Sequence, residues 1–363
     1  MADLAAFSKN CLPRLKNDSP GRSLEMAMVN KMMGKGFCIR SFLLILPVFS
    51  AVLLWSQQQS GQPASNDKEQ EGYKIRAEVN LVSVPVTVRR PEGGFIKDLT
   101  QSAFQILENG EPQEITFFAQ EGLPIRIAIV LDASGSVVHE WGTIRYATKR
   151  FIEHLKPEDQ FSLISFNTEV RLKMDWGRKT DRLDSVLTSI YCKDNTKLWD
   201  AVWVTCRDVF KGITDKKAMI IMSDGMDNQS MVSYDDALQE AIRSEAAIYV
   251  VSKTEAVRQS YEANKRYYYG SIPGEVFVQA DLVLRKLAHE TGGRVLYPNN
   301  FGQLDNIYAE VDEELRNQYT LGYVSTNTIK DGSYRRIDVG VKTQKAVISA
   351  RPGYYAPDAR GRR

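Results

Sequence analysis

A short stretch in the second third of the chain carries residue types that can bind a cation. Residues 127–131 are all apolar, which predicts a buried parallel strand, and the run ends at the carboxylate of Asp132. Ser134 and Ser136 follow at a spacing that lets both hydroxyls point to the same spot as that carboxylate. Gly135 lies between them and allows the tight turn that this requires. Because open α/β sheets bind ligands at the carboxyl ends of their strands, these three side chains predict a binding site.

Two further oxygen-bearing side chains can join this group. Thr196 directly precedes a segment that predicts a helix, and Asp224 follows a second apolar run at residues 219–222. Parallel strands end at the same edge of a sheet, so these two side chains are expected to meet the first three there. The predicted metal ligands are therefore Asp132, Ser134, Ser136, Thr196 and Asp224.

The chemistry of this donor set indicates which metal it prefers. Hydroxyls and carboxylates, without sulfur or imidazole, select a hard divalent cation. Few and small ligands suit octahedral Mg²⁺ with retained waters better than a Ca²⁺ cage of seven or eight oxygens, with Mn²⁺ and Ca²⁺ as alternatives. A purely structural interpretation also stands, in which Ser134 and Ser136 cap a helix near Val137 and the aspartates are solvated strand-end residues. Nearby, Asp200 is expected to support the Thr196 loop by hydrogen bonding, and Asp227 to be a turn residue.

The five predicted ligands resemble the metal-ion-dependent adhesion site of the von Willebrand factor type A domain, which reads Asp-x-Ser-x-Ser, then Thr, then Asp. All five positions match in order and spacing, and the resemblance covers about residues 123–324. It implies that Ser134, Ser136 and Thr196 bind the metal directly, and that Asp132 and Asp224 act partly through water. The resemblance also implies an open coordination position, which the Asp or Glu carboxylate of a partner protein fills.

A second resemblance covers the two ends of the chain. The strand at 82–88, the hairpin around Asn109 and the segment at 351–355 are similar to the VWFA-related proteins of Acidobacteria. That group implies little about function.

Enzymatic function is the competing class, as a hydrolase or as an accessory subunit of a metal-dependent enzyme complex. A Gly-x-Ser-x-Gly nucleophile motif is absent, because Asp132 and Ser136 stand at the glycine positions. The sequence has no Gly-x-x-x-x-Gly-Lys-Ser/Thr phosphate loop, and His139, His154 and His289 are scattered. The sequence therefore favours a binding protein over an enzyme. A net charge of +2 does not by itself imply nucleic acid or membrane as a partner.

The elements that position the site follow an alternating pattern. Helical faces, such as Ile144, Ala147, Phe151 and Leu155, alternate with short apolar runs over about 200 residues. This pattern predicts an α/β fold with a doubly wound, mostly parallel sheet. Before it, residues 82–88 alternate as a half-buried strand that Pro85 places at an edge, and Asn109-Gly110 predicts a hairpin to which Ile115 and Phe117 return.

Residues 319–355 are again β in pattern, and neither β segment has enough strands to close alone. Both are therefore expected to pair into one small β unit beside the α/β domain. The predicted organisation is a signal-peptide region at 1–56, a flexible linker at 57–75, a β segment at 76–120, the type A domain at 121–324 and a β segment with tail at 325–363.

The amino-terminal region predicts export. Lys35 and Arg40 precede an uncharged run at 41–55, and residues 56–59 turn polar, as in a secretory signal peptide. The run is short for a membrane span, but no clean cleavage site follows, so an uncleaved anchor remains an alternative. Later methionines offer other translation starts: Met26, Met28, Met32 and Met33. The expected location is the periplasm, the cell surface or the extracellular space.

Two smaller features complete the sequence-based expectations. Cys192 and Cys206 flank the Thr196 loop; they are expected to form a disulfide in an oxidising compartment, with two buried free thiols as the alternative. The segment Arg266 to Gly270 contains three tyrosines in a long irregular stretch. It packs on its own domain or contacts a partner.

Overall fold

The computed structural model describes residues 81–120, 123–178, 181–193, 195–253, 274–342 and 345–359. They belong to one compact unit, residues 74–363. The predicted signal-peptide region, the linker at 57–75 and the tyrosine-rich segment at 266–270 lie outside the described residues. Among the helices that the structure describes, none has the length and apolar character needed to cross a membrane.

Strands and helices alternate through the middle of the chain, between two groups of strands. The described strands are β1 Leu81–Arg89, β2 Phe104–Glu108, β3 Glu111–Gln113, β4 Ile115–Ala119, β5 Ile125–Asp132, β6 Gln160–Phe166, β7 Val170–Gly177, β8 Lys216–Ser223, β9 Ala247–Ser252, β10 Val295–Leu296, β11 Tyr319–Val324, β12 Tyr334–Val341, β13 Val347–Ala350 and β14 Gly353–Tyr355. The described helices are α1 Trp141–His154, α2 Leu183–Thr188, α3 Leu198–Val204, α4 Tyr234–Ser244, α5 Gly274–Glu290 and α6 Leu304–Arg316.

The central sheet has the strand order β10-β9-β8-β5-β6-β7. Its neighbouring strands are parallel except for β7, which runs antiparallel to β6. Side chains of β5 alternate between two apolar layers: Ile129 packs in the layer with α1, α2 and α6, and Val130 in the layer with α3, α4 and α5. A sheet covered on both faces confirms the predicted doubly wound α/β fold.

The strands before and after the α/β part form two small sheets. One has the order β13-β1-β11-β4 and the other β14-β12-β2-β3, so each contains strands from both ends of the chain. Between them, the valines of β1 and the buried residues of β11 form one apolar cluster with Phe104, Ile106 and Ile337 of the other sheet. The predicted β unit, built from segments before and after the α/β domain, is thus confirmed. Strand β11 pairs inside this unit.

Two details of the β unit differ from the sequence-based expectation. Strand β1 is not an edge strand, but β13 pairs only with its second half, from Val86 onward, so Pro85 has a strand neighbour only on the β11 side. The missing N–H of the proline therefore removes no bond to β13. The hairpin at Asn109 exists, with φ values of 50° there and 89° at Gly110, but its return strand is β3. Ile115 and Phe117 belong to β4 in the other sheet.

Buried charges tie the β unit to the α/β part. Glu314 of α6 is 1% exposed and forms ion pairs with Arg89 of β1 and with Arg294. Arg351, just after β13, donates to the carbonyl of Ser83 at 2.7 Å and pairs with Glu245 at 3.0 Å. Buried charges are costly unless paired, so these contacts fix how the two parts meet.

Candidate functional site

The end of strand β5 presents the first three predicted ligands. Asp132 is fully buried, and its Oδ1 accepts a hydrogen bond of 2.8 Å from the backbone N–H of Ser134. This bond closes the turn after the strand, and it leaves the Oγ atoms of Ser134 and Ser136 only 3.0 Å apart. The two hydroxyls therefore lie side by side. Ser134 makes no helix-capping side-chain bond, and α1 begins only at Trp141, so the capping interpretation is wrong.

The fifth predicted ligand follows the neighbouring strand β8. Asp224 is 5% exposed, and its Oδ1 accepts from the backbone N–H of Met226 at 3.1 Å. Gly225 has a φ of 78°, and a Cβ there would lie 2.5 Å from the carbonyl oxygen of Ala280 in α5. Only glycine permits this close approach, which holds the Asp224 turn against the helix.

Thr196 forms hydrogen bonds to the segment after Asp224, which is distant from it in sequence. The N–H of Thr196 donates to Asn228 Oδ1 at 2.9 Å, and its carbonyl accepts from the N–H groups of Asn228 and Gln229 at 3.1 and 3.2 Å. Thr196 is buried, with 8% exposure. These bonds hold the Thr196 loop against the loop that carries Asp224.

Two aspartates hold the surrounding loops. Asp227 Oδ1 accepts from the N–H of Leu198 at 2.7 Å, so it caps α3 from another loop, a role beyond that of the expected turn residue. Asp200 Oδ1 accepts from the N–H groups of Met231 and Val232 at 2.8 and 2.9 Å. Asp200 therefore holds the segment after Asp227, and Asp227 holds the start of α3 beside Thr196.

A lysine that the sequence analysis did not consider lies at the centre of the site. Lys253 directly follows β9 and is 1% exposed. Its Nζ lies 2.8 Å from Asp132 Oδ2, 2.8 Å from Ser136 Oγ, 3.1 Å from Ser134 Oγ and 3.5 Å from Asp224 Oδ2. Four of the five predicted ligands thus surround one atom. The signal that could have found it is its position after a buried strand beside the Asp224 strand, at the same edge of the sheet.

The electrostatics of the site balance burial against pairing. Burial raises the pKa of Asp224 above its ordinary value, although the nearby Lys253 ammonium opposes this shift. Burial favours a lower pKa for Lys253, but the carboxylates of Asp132 and Asp224 outweigh it and raise that pKa. The raised pKa favours the charged form of the lysine, which lies between Asp132 and Asp224.

The Lys253 ammonium lies between four of the predicted ligands, which tests whether the donor set suits a cation. It is held only by hydroxyl and carboxylate oxygens, the donor types that hard divalent cations prefer. The described residues contain no group of three or more His, Cys, Asp or Glu that could hold a metal, since this site has two carboxylates beside its hydroxyls. The donors fit Mg²⁺ in type, provided that Lys253 leaves the position.

The predicted disulfide is wrong. Cys192 and Cys206 are both free in the structure. Cys192 packs against the apolar layer of α1, α2 and α6, and Cys206 is buried in the layer of α3, α4 and α5. The central sheet therefore separates the two sulfur atoms.

Comparison with known proteins gives one family match. The sequence model of the von Willebrand factor type A domain family matches residues 127–310, about half of the chain. A search of curated proteins found no match.

Several solved structures are similar at low identity. A von Willebrand factor type A protein from Catenulispora acidiphila is 13% identical, with a TM-score of 0.42, over 71% of this chain and 74% of that one. Proximal thread matrix protein 1 from the mussel byssus, with a zinc-occupied MIDAS motif, is 14% identical, with a TM-score of 0.41, over 57% of this chain and 49% of that one. An aerotolerance-related membrane protein from Bacteroides fragilis is 13% identical, with a TM-score of 0.38, over 53% of this chain and 98% of that one.

Proposed function

Because this chain belongs to the von Willebrand factor type A domain family, we propose that it is an exported binding protein whose metal-ion-dependent adhesion site holds Mg²⁺ and binds an acidic group on a partner protein. The residues that would hold the metal are Asp132, Ser134, Ser136, Thr196 and Asp224. Export is proposed from the charged start and apolar run at 35–55, which lie outside the described residues.

One observation carries this proposal. Four of the five oxygen donors surround a single cation position at the carboxyl ends of adjacent parallel strands, and both carboxylates are buried there. Buried carboxylates without a cation would be unstable, so the edge of the sheet is built for positive charge. When bound, Mg²⁺ would supply an open coordination position that a carboxylate can fill.

The arrangement supports binding rather than hydrolysis. Ser134 and Ser136 lie beside Lys253. A serine beside a neutral lysine can act as a nucleophile, because the lysine can accept the hydroxyl proton. An ammonium held between two carboxylates has no lone pair to accept a proton, so neither serine is activated by it. The chain's own residues here hold a cation and exclude water from it.

The test measures metal binding and partner binding on one set of proteins. Calorimetry and thermal unfolding with millimolar Mg²⁺ or Mn²⁺ are expected to show binding by the wild type and its loss in Asp224→Asn, since metal stabilises the fold by mass action. Asp235→Asn is the matched control, because Asp235 is an exposed carboxylate in the first turn of α4. If the wild type shows no binding heat and no shift, the metal site is refuted.

Partner binding is then tested with the same variants as bait. Capture from an envelope extract is expected with Mg²⁺ and not with EDTA, and it is expected to be lost in Asp224→Asn. In an identified partner, an Asp→Asn or Glu→Gln change at the contact is expected to remove binding. Capture that persists in EDTA would place the interaction surface elsewhere on the protein.

A further inference from the structure

We propose that Lys253 is the resident cation of this site, and that a divalent metal and its carboxylate ligand bind only when the lysine side chain withdraws. The inference rests on the proposed function, because it concerns access to the same metal position. It adds a condition that the five-residue motif does not contain.

The first argument is the geometry around the ammonium. A lysine ammonium has three N–H donors, and three oxygens lie within 3.1 Å of Nζ, from Asp132, Ser134 and Ser136. Asp224 adds a carboxylate oxygen at 3.5 Å. The hydroxyls of Ser134 and Ser136 accept hydrogen bonds from Nζ, whereas Asp132 Oδ2, although only 2.8 Å away, accepts no well-oriented hydrogen bond from the described residues. The lysine therefore supplies the positive charge of the site without a metal, and it leaves an acceptor position of Asp132 unfilled.

The second argument is burial. Lysine side chains are almost never fully buried unless they are paired, yet Lys253 is 1% exposed. Asp132 is 0% exposed and Asp224 5%. Two buried carboxylates with no cation would carry a large desolvation cost, which the ammonium offsets. The pairing thus stabilises the fold whenever metal is absent.

The third argument is mutual exclusion. Mg²⁺ requires oxygen ligands at about 2.1 Å, and the donors available are the same oxygens that surround Nζ. An ammonium and a divalent ion cannot share that volume, and together their charge would exceed that of the two carboxylates. Metal entry therefore needs Lys253 to leave.

Withdrawal does not require the strand to move. The backbone N–H of Lys253 donates to the carbonyl of Ser223 at 3.0 Å, which keeps the residue beside β8. The charge sits at the end of a flexible four-carbon stem, so rotation of the side chain can vacate the position. The apparent metal affinity is then reduced by the fraction of molecules in which the position is open.

The first experiment compares metal affinity in the full chain with and without the ammonium. Lys253→Met keeps the stem length and removes the charge, and Lys211→Met is the control because Lys211 is exposed. Calorimetry with Mg²⁺ and with Mn²⁺ is expected to give a dissociation constant at least about tenfold lower for Lys253→Met than for the wild type or the control. In EDTA the Lys253→Met protein is expected to unfold at a lower temperature than the wild type, and metal is expected to restore it.

The second experiment uses the wild type alone, so it stands even if Lys253→Met fails to fold. Acetic anhydride labelling, read by mass spectrometry, is expected to spare Lys253 in EDTA and to modify it in saturating Mg²⁺. Lys211 is expected to be modified equally in both. Labelling of Lys253 that rises with Mg²⁺ shows directly that the metal displaces the side chain.

The outcomes separate this inference from the proposed function. Equal dissociation constants for wild type and Lys253→Met, with Lys253 still protected when metal is bound, overturn the lysine competition and leave the metal site standing. If neither folded protein binds Mg²⁺ or Mn²⁺ at millimolar concentration, the proposed metal site fails, and the competition fails with it.

Discussion

Substitution of Asp227 by alanine tests how the loops beside the site are held. The Asp227 carboxylate accepts from the N–H of Leu198 at 2.7 Å, and it also accepts from the Ser230 N–H and hydroxyl. The residue before the helix, Lys197, makes no side-chain cap of its own. Asp227→Ala therefore removes the cap of α3, although Asp227 lies 29 residues from Leu198 in sequence.

The expected cost follows from three contributions. Loss of an aspartate cap costs about 1 kcal/mol, and loss of a negative charge at a helix amino terminus costs about 0.3–1 kcal/mol. The partly buried bond from the Ser230 hydroxyl contributes about 1 kcal/mol. The free energy of unfolding is thus expected to fall by about 2–3 kcal/mol. Because Thr196 lies two residues before the helix start, the metal affinity is expected to fall by about tenfold as well.

Urea denaturation and amide hydrogen exchange measure this prediction. The N–H of Leu198 is expected to exchange faster in Asp227→Ala, and Asp227→Asn is expected to keep part of the cap, since its amide oxygen still accepts. Asp98→Ala is the control, because Asp98 is exposed in a loop of the β unit, and it is expected to change stability by less than about 0.5 kcal/mol. If Asp227→Ala matches this control in both stability and exchange at Leu198, the cap and the estimate built on it are refuted.

Three further predictions concern buried groups. Alkylation under non-reducing conditions is expected to find two free thiols, with Cys206 labelled only after unfolding, because burial raises its pKa to about 12; a disulfide-linked peptide in mass spectrometry would contradict this. Glu314→Gln is expected to lower the free energy of unfolding by about 2–3 kcal/mol. This loss is smaller than the loss on breaking a fully buried ion pair, because the two arginine partners of Glu314 are partly exposed to water. An unchanged urea midpoint would contradict this prediction. Burial lowers the pKa of Lys216 to about 7. Between pH 7 and 10 the unfolded chain therefore binds one more proton at this lysine than the folded chain does, so the free energy of unfolding rises with pH, by up to about 1.4 kcal/mol per pH unit. Urea titrations at several pH values are expected to show that Lys216→Met removes this rise.

The fold was predictable because its signals are local. The apolar spacing of Ile144, Ala147 and Phe151 places them on one face of α1, and all three are buried. The apolar runs of β5 and β8 are likewise buried along the central sheet. Periodicity of this kind depends only on residues that are close in sequence, so it can be recognised without knowing how distant parts of the chain pack.

Pairing between distant strands was less predictable. The alternation at residues 115–117 identifies a strand, but it does not determine the sheet, and the strand pairs with β11 instead of closing the hairpin at Asn109. The disulfide expectation failed for a related reason. Proximity in sequence around the Thr196 loop says nothing of the sheet that separates Cys192 from Cys206.

The meeting of Asp132, Ser134, Ser136 and Asp224 at one edge of the sheet was predictable, whereas the lysine between them was not. The order of Asp132, Ser134, Ser136 and Asp224 follows a recognisable motif, and the structure brings all four around one atom. That atom belongs to Lys253, which is 119 residues from Ser134 in sequence. The position of Lys253 after a buried strand places it at this edge of the sheet, but a lysine there normally extends into water, so the sequence does not show that its side chain folds back into the site.

The lysine changes what metal binding can contribute to stability. In a site with two buried carboxylates and no internal cation, metal would offset their entire desolvation cost. Here Lys253 offsets much of it beforehand, at 2.8 Å from Asp132. Metal gains only the difference between its own interaction and that of the ammonium, so its apparent affinity is lower. At a given metal concentration the shift in unfolding temperature is therefore smaller than it would be without the lysine. A small shift in the wild type together with a large one in Lys253→Met therefore indicates competition for the site, whereas small shifts in both indicate a site that does not bind metal.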